Sequence, residues 1–248
     1  MPRRASARDK EPAAPARALS IHAHPDDQEF TVAGTLARWA RAGSHVVTVC
    51  LTRGGAGSNR WTPPDMTRER LVGIREDEQR RACRRLGIAE VVFLDYEDGM
   101  LEPSIALRRD VTRLLRRHRP DVVVCGDPTV RFYGNRYMNH PDHRVAADVA
   151  LDAVFPSSET RLIFPELLDE GLPPHHVREA WLHGSDRPDT WIDIGDVLDL
   201  KIQALREHRS QLGDWDPGPM LKGWARREGA RRRLRAAEAF RRMVLEED

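Results

Sequence analysis

Residues 18–29 read Ala-Leu-Ser-Ile-His-Ala-His-Pro-Asp-Asp-Gln-Glu, a short apolar strand that runs directly into His24, Asp26 and Asp27. Downstream, Phe30–Ala42 carries Leu36, Trp39 and Ala40 at helical spacing. Gly43 follows as a stop, because glycine tolerates the left-handed cap conformation. His45–Leu51 (HVVTVCL) is a β-branched run, and Arg68–Leu86 is a charged amphipathic helix closed by Gly87. The strand Val91–Leu94, the helix Leu107–His118, the strand Asp121–Cys125 (DVVVC) and the helix His143–Phe155 continue the alternation.

Strands alternating with helices at this spacing predict βαβ units. The fold class is therefore α/β, a Rossmann-like and mostly parallel sheet flanked by helices. The early strands are nearly continuous apolar runs, which suits a sheet covered on both faces. Ligands in such sheets bind beyond the carboxyl ends of the strands. The loops at 24–29, 52–67, 95–102 and 126–143 are expected to meet at one crevice. Further strands are expected at Arg161–Phe164, Val177–Leu182 and Trp191–Ile194. A helix is expected at Asp196–Leu212, with a basic one inside Lys222–Glu246.

Composition narrows the function. The chain has 248 residues, 40% hydrophobic and 32% charged, enough to bury a sizeable core without disulfides. A net charge of +1 argues against both wholesale disorder and a nucleic-acid partner. No apolar run reaches the roughly 18 residues of a membrane span. Cys50, Cys83 and Cys125 form no C-x-x-C pair, and their odd count suits a reducing, cytoplasmic setting. Residues 1–17 read as a disordered basic extension, and 18–248 as a single domain. Between Lys222 and Arg242 stand nine Lys/Arg against two acids, read as the solvated face of a helix.

The loop after the first strand resists a folding-only explanation. Consecutive carboxylates repel and resist burial unless a cation compensates them. His24 and Asp27 are three apart, so one turn can aim both at a point. The fourth strand's loop ends in Asn139-His140-Pro141-Asp142-His143, again with two histidines three apart. His24, Asp27 and one of those histidines make a three-ligand set for a divalent metal, and a catalytic zinc site keeps the fourth position open for water. His22 alternates with His24 on the strand, faces the other way and is read as structural. Gly54, Gly55 and Gly57 match neither a dinucleotide fingerprint nor a P-loop, and are read as a flexible substrate loop.

H-P-D-D after the first strand, with H-P-D-H after the fourth, resembles the LmbE-like or PIG-L family of zinc-dependent N-deacetylases. The likeness runs from about Leu19 to at least His208. It includes Thr52–Gly57, the Ile74–Glu78 helix segment and Phe93–Gly99. The resemblance implies the LmbE-like fold and removal of an acetyl or related acyl group from an amino sugar or an N-acetylglucosamine conjugate. It implies that His24, Asp27 and His143 hold the metal, with zinc expected and iron or cobalt able to use the same donors. Asp26 would be the general base. His140, protonated and oriented by Asp142, would stabilise the oxyanion. Arg53, Arg75, Asp98, Tyr137 and Asn139 would approach the sugar.

Some members carry a tyrosine two residues before the first histidine of the second motif; here that position is Met138, with Tyr137 one further back. Gln28 stands where relatives often have an acid, and Glu29 keeps an acid next door. Related enzymes are often oligomers, so association of copies is a further implication. Other readings are an amidase acting on a thiol conjugate with the same metal chemistry, and a noncatalytic small-molecule binder.

Overall fold

The computed structural model describes residues 11–245. Among the described residues, nine strands fall at Arg17–His22 (β1), His45–Thr52 (β2), Glu90–Tyr96 (β3), Val122–Gly126 (β4), Phe132–Tyr133 (β5), Tyr137–Met138 (β6), Glu179–His183 (β7), Thr190–Asp193 (β8) and Ala237–Val244 (β9). The main sheet has the order β3-β2-β1-β4-β7-β9-β8. Its first five members are parallel, and β9 runs antiparallel to both β7 and β8. The chain leaves β1 toward β2 and β3, then returns to the other side of β1 as β4. That reversal opens a crevice at the carboxyl ends of β1 and β4, where doubly wound sheets bind ligands.

Pleating sends alternate side chains to opposite faces. Ala18, Val46, Val122, Val124, Trp181 and Phe240 pack on one face. They meet Leu36 and Trp39 of α2 (Ala33–Arg41) and Ala82 and Leu86 of α3 (Arg68–Leu86). Leu19, Ile21, Val47, Val49 and Val123 pack on the other face. There they meet α4 (Ile105–His118) and α5 (Pro141–Asp152). Both faces are covered, as continuous apolar strands require.

Several elements depart from the expected boundaries. The first helix is two pieces, α1 (Asp27–Thr31) and α2, broken at Val32. Asp196–Leu212 divides into α7 (Leu198–Leu205) and α8 (Arg209–Leu212), following the short α6 (Glu166–Asp169). The fifth helix begins at Pro141 and ends at Asp152, continuing as a π-helical turn, Ala153–Ser157. Arg161–Phe164 is not a strand. Buried Arg116 donates to the carbonyls of Ser157, Ser158, Thr160 and Ile163, gathering the chain into turns where a ladder would need it extended. The basic helix, α9 (Gly218–Ala230), ends early, and Ala237–Val244 is instead a strand inside the sheet. Residues 1–10 of the expected extension lie outside the described residues. Of the remainder, Arg17 already pairs with β2, and Pro15 accepts from Ser44 Oγ.

β9 brings in a buried ion pair. Lys201 Nζ lies 2.6 Å from Glu238 Oε1, each side chain about 5% exposed. Glu238 also accepts from the N–H groups of Gly34 (2.9 Å) and Thr35 (2.7 Å), and Lys201 donates to Thr31 O (2.8 Å). One carboxylate thus satisfies the open N-terminus of α2, where anions are favoured. Removing one partner of such a pair strands a buried charge. Lys201→Met is expected to lower stability by about 3 kcal/mol or more, with Lys201→Met/Glu238→Gln recovering part of the loss. Urea denaturation of the two variants checks this.

Candidate active site

His24 follows β1 at the centre of the crevice, 8% exposed, and both ring nitrogens are engaged. Its Nδ1 lies 3.2 Å from His143 Nε2 and 3.5 Å from Asp27 Oδ2. Asp27 Oδ1 lies 3.0 Å from His143 Nε2. These donor atoms all lie within 4.8 Å of one another, the spacing of a metal-ligand group. Asp27 is fixed locally, because its Oδ2 also accepts the His24 N–H at 2.9 Å.

On its far side, His24 Nε2 lies 3.0 Å from Asp98 Oδ1 and 3.1 Å from Asp142 Oδ2. A proton on Nε2, held by carboxylates, leaves the Nδ1 lone pair facing the group. His143 is oriented alike: Asn139 Oδ1 lies 3.3 Å from its Nδ1 and turns Nε2 inward. Ligating histidines characteristically carry such outer partners. Two imidazole nitrogens and a carboxylate, with tautomers set this way, fit a divalent cation of the zinc type. A second group, His24, His140 and Asp142, also converges. It fits less well, because Asp142 is already held by Gly99 N (2.8 Å) and Leu101 N (3.3 Å).

Charge follows the same pattern. Burial would push the Asp27 carboxyl up, but His143 and His24 hold it well below the usual range. Burial would lower His24, yet Asp27, Asp142 and Asp98 raise it well above its ordinary value. Three carboxylates thus converge on this cluster, as a cation-binding site requires.

Asp26 stands apart from the ligand group. Its φ of 92° lies in the left-handed region, an unfavourable conformation for a non-glycine residue. That geometry turns its carboxylate away from Asp27 and toward Arg75, whose Nη2 lies 3.2 Å from Oδ2. Burial raises the Asp26 pKa, and Arg75 offsets only part of this.

The other expected site residues are distributed differently. Arg75 is 3% exposed and braces loops: it donates to Gly54 O (2.9 Å) and Pro25 O (2.6 Å) as well as to Asp26. A Cβ at Gly54 or Gly57 would overlap its guanidinium, so those glycines admit Arg75 beneath the loop. Asp98 faces His24 and Ala56 N (2.8 Å), and its carboxyl is lowered to about 2 against the effect of burial, chiefly by His24. Asn139 is buried, with Nδ2 donating to Val130 O (2.9 Å). Arg53 pairs with Glu76 and Asp95. Tyr137 stays exposed on the β5–β6 hairpin beside the site.

Asp142 serves His24 more directly than His140, from which its carboxylate lies 3.9 Å away. His140 caps α5 by accepting Asp142 N–H at Nδ1 (3.2 Å). Burial, with His24 and His143 nearby, lowers the His140 pKa, a shift that works against the imidazolium expected there. The 52–67 loop is tied to the Ser210–Gln211 segment. Gln211 Nε2 donates to Gly57 O (3.0 Å), and Asn59 Nδ2 to Ser210 O (3.0 Å).

Sequence reasoning noted Glu29 beside the first motif but missed its pairing with His208. Both are fully buried and 3.3 Å apart, and Glu29 raises the His208 pKa against the effect of burial. No spacing rule links positions this distant in sequence.

The PIG-L family profile, described as GlcNAc-PI de-N-acetylase, matches residues 19–154. The chain belongs to this family of deacetylases. A diacetylchitobiose deacetylase of Thermococcus kodakarensis is 29% identical over 206 residues, spanning 81% of this chain and 74% of that protein. A 1D-myo-inositol 2-acetamido-2-deoxy-alpha-D-glucopyranoside deacetylase of Saccharopolyspora erythraea is 31% identical over 250 residues, spanning 82% and 80%. The solved structure of N,N'-diacetylchitobiose deacetylase from Pyrococcus horikoshii, complexed with its inhibitor MPG, superposes with a TM-score of 0.85 at 32% identity. That superposition covers 93% of this chain and 84% of the other.

Behind the cluster, His22 and His183 stack with centroids 5.5 Å apart. His22 bonds Ser20 Oγ at 2.7 Å, the structural role expected of it. Burial pushes His22 down to about 4 and His183 to about 3. A base whose folded pKa is depressed leaves the unfolded chain binding more protons, so its contribution to stability falls with pH below about 6.5. Each imidazole contributes about 1.4 kcal/mol per pH unit over its window. His183→Phe is expected to make stability fall less steeply than wild type between pH 6.5 and 4, as measured by urea midpoints across that range.

Proposed function

We propose that the protein is a metal-dependent N-deacetylase. It hydrolyses the acetamide of an N-acetylglucosamine-type amino sugar or of a conjugate carrying one. The observation that carries this reading is the division of labour between adjacent carboxylates. Asp27 joins His24 and His143 in a ligand group, while Asp26 is held apart by Arg75 with its pKa raised. A binding-only site has no need of that second acid. The deacetylases of amino-sugar substrates among its relatives support the substrate class.

His24, Asp27 and His143 would hold the metal. A divalent cation there supplies Lewis acidity toward a carbonyl oxygen and makes a water nucleophilic near neutral pH. Zinc fits these donors, and ferrous iron fits them as well. Asp26 takes a proton from the attacking water as its oxygen bonds to the acetamide carbon. His140, with Nδ1 occupied by the Asp142 N–H, presents its Nε2–H to the developing oxyanion. When the C–N bond breaks, Asp26 returns its proton to the departing nitrogen. The products are acetate and the free amino sugar. A raised carboxyl pKa suits both halves of that proton transfer.

Tyr137 and Arg53 remain the rim residues proposed to meet the sugar. Arg75, Asp98 and Asn139 act one layer back, on Asp26, His24 and His143 respectively. Three buried free thiols suit a reducing compartment, and we place the enzyme in the cytoplasm on that ground. No helix among the described residues is long and apolar enough to cross a membrane.

Metal content and amine release from a panel of N-acetylglucosamine conjugates test the reading. Wild type is expected to hold about one metal ion and release amine. Asp26→Asn should keep the metal and lose on the order of 100-fold or more in kcat, whereas His143→Ala should lose both. A wild type that takes up no metal on reconstitution overturns the proposal.

Asn139→Ala supplies a separate check. It frees the His143 ring and is expected to weaken metal affinity roughly 10–100-fold, with fold and charge intact. Chelator competition measures the change.

A further inference from the structure

Asp26 is held in its left-handed conformation through its main chain, and the structure shows what grips it. Its N–H donates to Gln79 Oε1 at 2.8 Å. Gln79 projects from α3, 53 residues away, and is 1% exposed. Its other end is equally committed. Gln79 Nε2 donates to Glu29 Oε1 at 3.0 Å and lies 3.4 Å from Cys83 Sγ. Glu29 also accepts from Gln28 Nε2 at 2.6 Å, and Gln28 Oε1 accepts from Thr48 Oγ1 at 2.7 Å. The orientation of the Gln79 amide is therefore set from both sides.

We infer that Gln79 is a positioning residue for the general base. The inference rests on the proposed deacetylase reading for its kinetic test, though not for its structural one. A neutral amide offers one acceptor and one donor, and this place needs both. The acceptor satisfies a buried main-chain N–H at a backbone conformation that disfavours itself. The donor meets a carboxylate on the far side. Leucine fills the space but leaves the Asp26 N–H unsatisfied. Glutamate accepts from that N–H, yet sets its own carboxylate against Glu29.

The ligand group has separate supports. Asp27 is held by His24 N–H, His24 by Asp98 and Asp142, and His143 by Asn139. Gln79 is hydrogen-bonded to Asp26, Glu29 and Cys83 and not to these residues. Its loss should displace the base and leave the metal group standing.

The test compares metal-loaded wild type, Gln79→Leu and Gln79→Glu as full chains. For Gln79→Leu, kcat is expected to fall by about 10–100-fold, the scale of an ångström-sized misplacement. KM should stay within about twofold and metal content unchanged. Gln79→Glu, which keeps the acceptor, should recover part of that loss. Crystal structures of the metal-loaded variants give a readout that needs no turnover: in Gln79→Leu, Asp26 should leave its left-handed conformation or shift its carboxylate, while His24, Asp27 and His143 stay in place. An unmoved Asp26 with undiminished kcat overturns the inference. So does loss of metal in parallel with activity, which would make Gln79 a support of the ligand group. If Gln79→Leu fails to fold, Gln79→Met, which also removes the acceptor, carries the same crystallographic comparison. A wild type that cleaves no amide counts against the deacetylase reading alone, because the Asp26 geometry still decides the role of Gln79.

Discussion

The His24 imidazole is the junction on which the rest of the site depends. Its Nδ1 faces Asp27 and His143, and its Nε2 faces Asp98 and Asp142. Those four residues lie in the segments that follow β1, β3 and β4, in α1, the loop after β3 and the start of α5, so one ring ties three strand ends together. The two carboxylates behind it fix which nitrogen carries the proton. They thereby decide which lone pair points into the crevice, a demand that a ligating histidine places on its surroundings. The same acids are anchored to main-chain N–H groups at Ala56, Gly99 and Leu101, so loop shape and ring orientation are set together.

Around that junction, burial and charge shift two neighbouring aspartates in opposite directions. Asp27 lies between two imidazoles and is held ionised. Asp26 lies in a buried pocket, restrained by one arginine, and its carboxyl is shifted toward the neutral form. Asp26 also takes a left-handed φ, outside the helix α1 that begins at Asp27. Gly54 and Gly57 belong to the same arrangement, since their missing side chains let Arg75 reach Asp26 and Pro25 from beneath the loop. The glycine-rich loop is thus a roof over a guanidinium, fastened at its far end by Gln211 and Asn59.

Much of the fold was legible because its signals are local. β1, β2 and β4 are continuous apolar runs, and α3 and α4 carry clean helical periodicity between recognisable caps. The errors arose where tertiary contacts overrode local pattern. β9 carries Glu238, Arg241 and Arg242 within eight residues, which disguises a sheet strand as a charged helix. Its glutamate is buried because it closes the N-terminus of α2, a partner some 200 residues distant in the chain. Arg161–Phe164 looked like a strand, but the carbonyls around it are collected by Arg116 from α4.

The candidate site divides the same way. The sequence by itself pointed to His24, Asp27 and one histidine of the second motif as a donor set, with Asp26 beside them, and the structure brings His24, Asp27 and His143 together. These are short-range motifs on two loops that doubly wound topology must bring to one crevice. Only the tertiary structure decided the roles of the residues behind them. Arg75, Asp98 and Asn139 read as sugar contacts, and the structure adds that each is buried and bonded to another side chain; the pairing of Glu29 with His208 and the contact of Gln79 with Asp26 gave no sequence signal. The reason is physical. A ligand set is recognisable from residue type and spacing, whereas an orienting hydrogen bond depends on which buried donor or acceptor is left unpaired once the elements have packed.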